Sequence, residues 1–205
     1  MTVSILKRRI SIVESKPKNA FAVWVTGLPA SGKSTLVTSL KAQLADRGID
    51  VAVLESDVLR QIFTLQPRYD EQEREAFYRQ MVYVGTLLTQ HGVPVIFDAT
   101  ANRRRYRDQA REQIPRFMEV YVDCPLETCI ARDPKGIYRK ARERAADTVP
   151  GLQSAYEPPE KPDLVVDSGR EMPETAARRV MIKLAEKGYF CDRQTNTPGP
   201  SRTGS

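Results

Sequence analysis

One short stretch, residues 21–35, constrains the fold of this chain more than any other. It begins as an apolar run, continues as a turn bracketed by Gly27 and Gly32, and ends with Lys33-Ser34-Thr35 opening a helical pattern. The spacing G-x-x-x-x-G-K-[ST] is typical of a phosphate-binding loop between a strand and a helix. The two glycines permit backbone angles that a side chain would disfavour, so the loop N–H groups can point inward at phosphate oxygens. The stretch therefore predicts a nucleoside-triphosphate site.

This phosphate loop, residues 27–35, predicts both of the cofactors that we expect, ATP and Mg²⁺. Lys33 can reach the β- and γ-phosphates, and the Ser34 hydroxyl can ligate the magnesium ion. The N-terminus of the following helix adds to the positive field. The residues expected to contact the nucleotide are Gly27, Leu28, Pro29, Ala30, Ser31, Gly32, Lys33, Ser34 and Thr35.

The hydrophobic pattern alternates between strands and helices about five times, which predicts an α/β fold. Strands are predicted at residues 21–26, 51–54, 93–97, 117–122 and 164–166. Helices are predicted at residues 33–47, 58–63, 71–90, 103–113, 126–132 and 173–187. We expect a P-loop kinase architecture, a parallel five-stranded sheet covered by helices on both faces. Residues 133–162 are rich in charge, proline and glycine without a sustained apolar period, which predicts a long mobile basic lid.

Composition limits the classes of protein and of partner. A length of 205 residues suits one domain, which we place at residues 20–189 between a flexible lead-in, 1–19, and a disordered polar tail, 190–205. The net charge of +6 suits a polyanionic partner, but no basic stripe interleaved with aromatic residues points to nucleic acid. No run has the length of a membrane span. Three scattered cysteines suggest neither a disulfide framework nor a zinc site, and a reducing cytoplasm is the expected compartment.

Two carboxylates, Asp57 and Asp98, follow predicted strands. The carboxyl ends of parallel strands meet at one edge of a sheet, so both carboxylates should lie beside the phosphate loop. A phosphotransferase needs one carboxylate to orient or deprotonate the attacking hydroxyl and another to hold Mg²⁺. Ser34, Asp57 and Asp98 are the candidate metal ligands. The alternative for each aspartate is a helix N-cap.

Basic residues placed just after strand ends are candidates for anion contacts. Arg60 and Arg103 follow such turns, and the guanidinium group suits bidentate contact with phosphate or sulfate. The alternative for each arginine is a solvated helix face. In the lid, Pro134 and Gly136 flank Lys135, which favours a placed lysine over the alternative, a solvated charge run. A basic lid that closes over phosphates would exclude water and stabilise the charge of the transition state.

Three blocks of sequence resemble adenylylsulfate (APS) kinases, and the resemblance extends over about residues 20–187. The first is residues 27–35, similar to G-L-x-x-S-G-K-S-T. The second is residues 133–141, similar to D-P-K-G-L-Y-x-K-A, and the third is residues 151–167, similar to G-I-x-x-P-Y-E-x-P-x-x-P-x-x-V-x-D. The resemblance implies transfer of the ATP γ-phosphoryl to the 3′-hydroxyl of adenosine 5′-phosphosulfate. It also implies that the chain forms a homodimer, as enzymes of this family often do.

The resemblance implies a role for each matching residue. Asp57 falls on the presumed catalytic carboxylate, and Thr100 on a serine sometimes described as a phosphorylated intermediate; with Lys33 they are the implied catalytic residues. The implied substrate-binding residues are Asp57, Arg60, Tyr69, Arg74, Asn102, Arg103, Lys135 and Ile137. Arg132 joins the phosphate loop as a residue expected to bind ATP.

The chain departs from the family pattern at three places. Residues 97–103 read F-D-A-T-A-N-R instead of S-F-I-S-P-Y-R, Phe77 takes the place of an asparagine, and Val149 that of a lid phenylalanine. Two alternatives to APS kinase therefore stay open. One is a kinase for a different nucleotide or a small phosphorylated metabolite, and the other is a non-catalytic nucleotide-binding module.

Overall fold

The fold is described by a computed structural model covering residues 20–64, 66–143 and 149–190. The predicted lead-in, residues 1–19, lies outside the described residues, as does the predicted tail from residue 191 onward. Phe190 is described and packs, partly buried, against the core.

Strands and helices alternate as the sequence predicts, and their ends lie within about two residues of the predicted ends. The strands are β1 Ala22–Thr26, β2 Ala52–Glu55, β3 Val95–Asp98, β4 Phe117–Asp123 and β5 Leu164–Asp167. The helices are α1 Lys33–Ala45, α2 Ser56–Phe63, α3 Glu71–Gln90, α4 Arg104–Gln113, α5 Leu126–Arg132, α6 Ile137–Arg142 and α7 Pro173–Glu186. The strands form one parallel sheet in the order β2-β3-β1-β4-β5.

Both faces of the sheet are buried, as predicted for a parallel sheet. Successive side chains of a strand point to opposite faces, so Val23 and Val25 enter one hydrophobic cluster while Trp24 enters another. Helices α1 and α7 cover the first face. Helices α3 and α4 cover the second, where Trp24 stacks on Phe97 with ring centroids 4.6 Å apart. The central strand β1 thus carries the phosphate loop on a rigid base.

A buried ion pair fixes helix α4 against the sheet and against the lid. The Arg107 Nε atom donates to the Glu119 Oε1 atom at 2.7 Å, and these side chains are 1% and 7% exposed. The Arg107 Nη2 atom also donates to the Glu157 carbonyl at 2.7 Å. The same buried guanidinium group thus joins α4 to β4 and to the lid end near residue 157.

The lid region, residues 133–162, was predicted as a loop, and this was wrong for its first part. Helix α6 lies within it and buries Tyr138 and Ala141 three residues apart on one helix face. Gly136, with φ +65°, starts the helix, and the Asp133 carboxylate accepts the Arg139 N–H at 2.9 Å. Six residues are too few to show an apolar period, so tertiary burial rather than local pattern accounts for this helix.

Among the residues described, no helix is both long enough and apolar enough to cross a membrane.

Replacing Gly85 with alanine is expected to lower the free energy of unfolding by about 1–3 kcal/mol. Gly85 lies in helix α3 against strand β3, and a Cβ atom there would overlap the ring of Phe97. This reverses the usual gain of about 0.5–1 kcal/mol for alanine over glycine inside a helix. Urea denaturation measures the change. Tyr83→Ala, on the exposed side of the same helix, is the control, with an expected change below about 0.5 kcal/mol. A Gly85→Ala protein as stable as the parent would contradict the close packing.

Candidate active site

The carboxyl ends of the adjacent strands β2, β3 and β1 meet at one rim of the sheet. In the register, Asp98 of β3 lies beside Val25 of β1 and Glu55 of β2. The segments that follow these strands surround a cavity of about 720 Å³. The predicted site residues that line it are Pro29, Ala30, Gly32, Lys33, Ser34, Thr35, Asp57, Asp98, Thr100, Arg132, Lys135 and Ile137. The predicted nucleotide and catalytic residues are therefore largely brought together.

The phosphate loop has the backbone that its glycines predict. Gly27 has φ +152° and Gly32 has φ +104°, and a Cβ atom on Gly27 would lie 2.5 Å from the Val122 carbonyl oxygen. Ala30 also adopts a positive φ of +60°. A non-glycine residue in this conformation is strained, so the surrounding packing must hold it there.

Lys33 is buried under the loop, with 8% of its surface exposed. Its Nζ atom donates to the Gly27 carbonyl at 3.1 Å and to the Leu28 carbonyl at 2.8 Å. Burial lowers the pKa of Lys33 to about 8, although the charges of Asp98 and Asp57 oppose this change. An amine with such a pKa is partly deprotonated at slightly alkaline pH, and a phosphate bound beside it favours the fully protonated form.

The two carboxylates occupy different environments. Asp98 is 6% exposed, and burial raises its pKa while a hydrogen bond from the Ser34 hydroxyl and the charge of Lys33 lower it. Asp57 is exposed in the first turn of α2, and its Oδ2 atom accepts from the Lys135 Nζ atom at 2.6 Å. This bond raises the pKa of Lys135.

Neither aspartate caps a helix. The N-cap of α2 is Glu55, and the N-cap of α4 is Arg103. The N-cap alternative to a catalytic or metal-binding role is therefore wrong at both positions. Thr100 lines the cavity two residues beyond Asp98, and its carbonyl accepts from the Thr26 hydroxyl at 2.7 Å.

Three of the predicted acceptor residues, Asp57, Lys135 and Ile137, line this cavity, whereas the other five, Arg60, Tyr69, Arg74, Asn102 and Arg103, do not. Arg60 is buried, forms an ion pair with Glu73, and lies over the Phe77 ring at 4.0 Å and the Tyr69 ring at 4.9 Å. Phe77, in the place of the family's asparagine, thus supports the guanidinium group by stacking.

Two further arginines are held by partners from the lid or from neighbouring loops. The Arg74 Nε atom donates to the Tyr69 carbonyl at 2.8 Å, and Nη1 donates to the Asn102 Oδ1 atom at 3.3 Å. Arg103 pairs with the Glu157 carboxylate at 2.9 Å. Neither arginine lies on a solvated helix face, which was the alternative to a ligand contact. Their geometry is fixed before any ligand binds.

The sequence reasoning missed the loop after β5. Its residues Ser168, Gly169, Arg170, Glu171 and Met172 line the cavity. Arg132, a predicted nucleotide residue, donates to the Ser168 carbonyl at 3.0 Å. The sequence does indicate this loop in one way: it follows a fifth predicted parallel strand, and ligands of such sheets bind at the carboxyl ends of the strands. Val149, assigned to the lid's stacking position, is instead buried in a hydrophobic cluster beneath the phosphate loop.

Comparisons with known proteins identify the family. The sequence model described as adenylylsulphate kinase matches residues 19–167. The chain belongs to the adenylylsulphate kinase family. By membership of this family it is an ATP-dependent phosphotransferase, as the phosphate loop predicts.

The similarity to relatives covers nearly all of their length. The chain is 40% identical over 172 residues to a probable adenylyl-sulfate kinase of Pyrococcus abyssi, covering 83% of this chain and 98% of that protein. It is 39% identical to the adenylyl-sulfate kinase of Halothermothrix orenii, covering 82% and 91%. A solved structure of the Mycobacterium tuberculosis APS kinase in complex with AMPPNP and APS superposes with a TM-score of 0.78 at 32% identity, covering 82% of this chain and 99% of that one.

Nucleotide binding at about pH 9 is expected to take up close to one proton at Lys33. With a pKa of about 8 in the free protein, the amine is mostly neutral at that pH, and bound phosphate raises its pKa. Because the bound state holds more protons, affinity falls as pH rises through this range, and the uptake disappears below about pH 7. Calorimetric titration with ADP in two buffers of different ionisation enthalpy counts the protons. Lys33→Met should abolish the uptake; an equal uptake by that variant would contradict the assignment.

Proposed function

We propose that this chain is an adenylyl-sulfate kinase, which transfers the γ-phosphoryl of ATP to the 3′-hydroxyl of adenosine 5′-phosphosulfate (APS) and produces PAPS. The observation that carries the proposal is the meeting of Lys33, Asp57, Asp98 and Lys135 around one cavity that the phosphate loop opens into. Family membership supports it, as does the APS found in the complex of the similar M. tuberculosis enzyme.

Asp57 is the proposed general base. Its exposed carboxylate faces the cavity from α2, where it can accept the proton of the 3′-hydroxyl. The hydroxyl oxygen then bonds to the γ-phosphorus while the bond from that phosphorus to the β,γ-bridging oxygen breaks, and ADP leaves with the pair of electrons. Lys33 and Lys135, which both line the cavity, stabilise the charge on the transferred group.

Ser34 and Asp98 are the proposed magnesium ligands. Both residues line the cavity at the phosphate loop and offer oxygen donors, which a hard cation prefers. Among the described residues, no group of three or more His, Cys, Asp and Glu side chains could hold a metal. Mg²⁺ usually keeps water and phosphate oxygens in its shell, so few protein ligands suffice, and when bound it would neutralise phosphate charge.

The arginine cluster is the proposed site for the phosphosulfate and adenosine of APS. Arg60, Arg74 and Arg103 supply bidentate donors for phosphate and sulfate oxygens, with Asn102 beside Arg74. Tyr69 presents an exposed ring beside Arg60, and Ile137 lies at the lid side of the cavity. Thr100 is proposed to contact the transferred group, and Arg132 to contact the nucleotide.

A cytoplasmic location is proposed as well, and the buried free thiols of Cys124 and Cys129 suit a reducing compartment. Assembly as a homodimer stays a prediction, which sedimentation equilibrium would test.

Asp57→Asn is expected to lower kcat for APS-dependent ADP release by about 10²–10⁴-fold, because the hydroxyl loses its base. The dissociation constant for ATP should change little, since Asp57 lies outside the phosphate loop. Coupled ADP release with ATP and Mg²⁺, with and without APS, measures turnover. Asp108→Asn, an exposed carboxylate on α4, is the control and should retain full activity.

Two outcomes would contradict this scheme. Full turnover by Asp57→Asn would remove Asp57 from the chemistry. If the wild-type protein binds ATP but releases ADP only with another nucleotide or a phosphorylated metabolite in a parallel panel, APS is not the acceptor.

Asp98→Asn is expected to raise the Mg²⁺ concentration that half-saturates the enzyme by about tenfold or more, because one anionic oxygen ligand is lost. A titration of Mg²⁺ at fixed ATP measures the change. Asp123→Asn at the exposed end of β4 is a matched control, since it removes a strand-end carboxylate outside the cavity. Equal magnesium requirements in the two variants would show that Asp98 does not hold the ion.

A further inference from the structure

The outer side of the phosphate loop rests on the lid. A hydrophobic cluster beneath the loop contains Tyr138, Ala141 and Val149 from the lid together with Cys124 and Cys129 from the segment around α5. From the loop, Leu28 and Ala30 pack against this cluster. Gly151 lies so close that a Cβ atom there would be 2.7 Å from the Leu28 Cδ2 atom. Loop and lid therefore share one packed interior.

Polar contacts follow from the same geometry. When the N–H groups of the loop face a phosphate, its carbonyl groups face outward and need donors from elsewhere. The Lys33 ammonium group donates to the carbonyls of Gly27 and Leu28. The next carbonyl, that of Pro29, accepts from the Tyr138 hydroxyl at 3.0 Å. Tyr138 is 1% exposed, and burial raises its pKa, so the hydroxyl keeps its proton for this bond.

These two donors respond differently to a bound nucleotide. Lys33 must turn toward the phosphates and release the carbonyls of Gly27 and Leu28. Tyr138 does not line the cavity, so its bond to the Pro29 carbonyl need not break when phosphate binds. It then holds the carbonyl directly before Ala30, the residue with the strained positive φ.

Tyr138 is also close in sequence to the lid's cation. Lys135, which contacts Asp57, lies three residues before it, and Gly136 and the first turn of α6 join the two. We infer that Tyr138 is a positioning residue, whose hydroxyl couples closure of the lid over Asp57 to the nucleotide-binding conformation of the phosphate loop. The inference deepens the proposed function and rests on it for the lid's role in transfer.

Tyr138→Phe tests this inference, because it removes the hydroxyl and keeps the ring in the cluster. Losing one such hydrogen bond is expected to raise the KM and the dissociation constant for ATP with Mg²⁺ by about three- to tenfold. kcat at saturating ATP should fall by less than about twofold, because no reacting atom is touched. Calorimetry measures the nucleotide affinity without turnover, so this arm stands even if APS is not the acceptor.

The chain offers a matched control at Tyr189. Its hydroxyl donates to the Phe117 carbonyl, also at 3.0 Å, at the start of β4 and away from the cavity. Tyr138→Phe and Tyr189→Phe should each lower the melting temperature by about 2–4 °C. Only Tyr138→Phe should weaken nucleotide binding. Unchanged affinity in Tyr138→Phe, or an equal loss in both variants, would overturn the inference and leave Tyr138 a core residue.

Discussion

The outward-facing carbonyls of the phosphate loop are the constraint on which the rest of the structure depends. A loop that turns its N–H groups toward an anion leaves its carbonyls on the far side, where they need donors and cover. Lys33 and Tyr138 supply the donors. The hydrophobic cluster that contains Tyr138 supplies the cover, and it requires both the segment around α5 and the lid. The short lid helix α6 is thus a part of the scaffold of the nucleotide site as well as its roof.

The strand order then decides which residues share the site. With β1 central and β3 and β2 on one side, Asp98 and Asp57 follow adjacent strands and come to the mouth of the loop. On the other side, β4 and β5 bring Arg132 and Ser168 to the opposite wall. Because every pairing is parallel, all these segments leave the sheet at one rim, where they surround the cavity together with the lid.

Periodicity and motif spacing were sufficient for the sheet, the long helices and the phosphate loop, because each depends on local pattern. Helix α3 is the clearest case, since both of its predicted ends coincide with the observed ones, and the Asp70 side chain caps its first turn. Helix α6 could not be predicted this way, because contacts with the phosphate loop stabilise it. The same holds for the partners of the arginines: no spacing rule joins Arg60 to Glu73 or Arg103 to Glu157. The loop after β5 lacks a motif altogether.

The charges at this site differ in how readily they can rearrange. The pair of Asp57 and Lys135 is more than 60% exposed on both sides, and such pairs contribute about 0–1 kcal/mol, so substrate can separate it at little cost. The pair of Arg107 and Glu119 is buried, and removing one partner would cost about 3–5 kcal/mol. The exposed pair thus lies at Asp57, the proposed base, and the buried pair includes Arg107, which also bonds the lid at residue 157. Separating Lys135 from Asp57 would therefore leave the attachment at residue 157 intact, and with it the Glu157 carboxylate that holds Arg103.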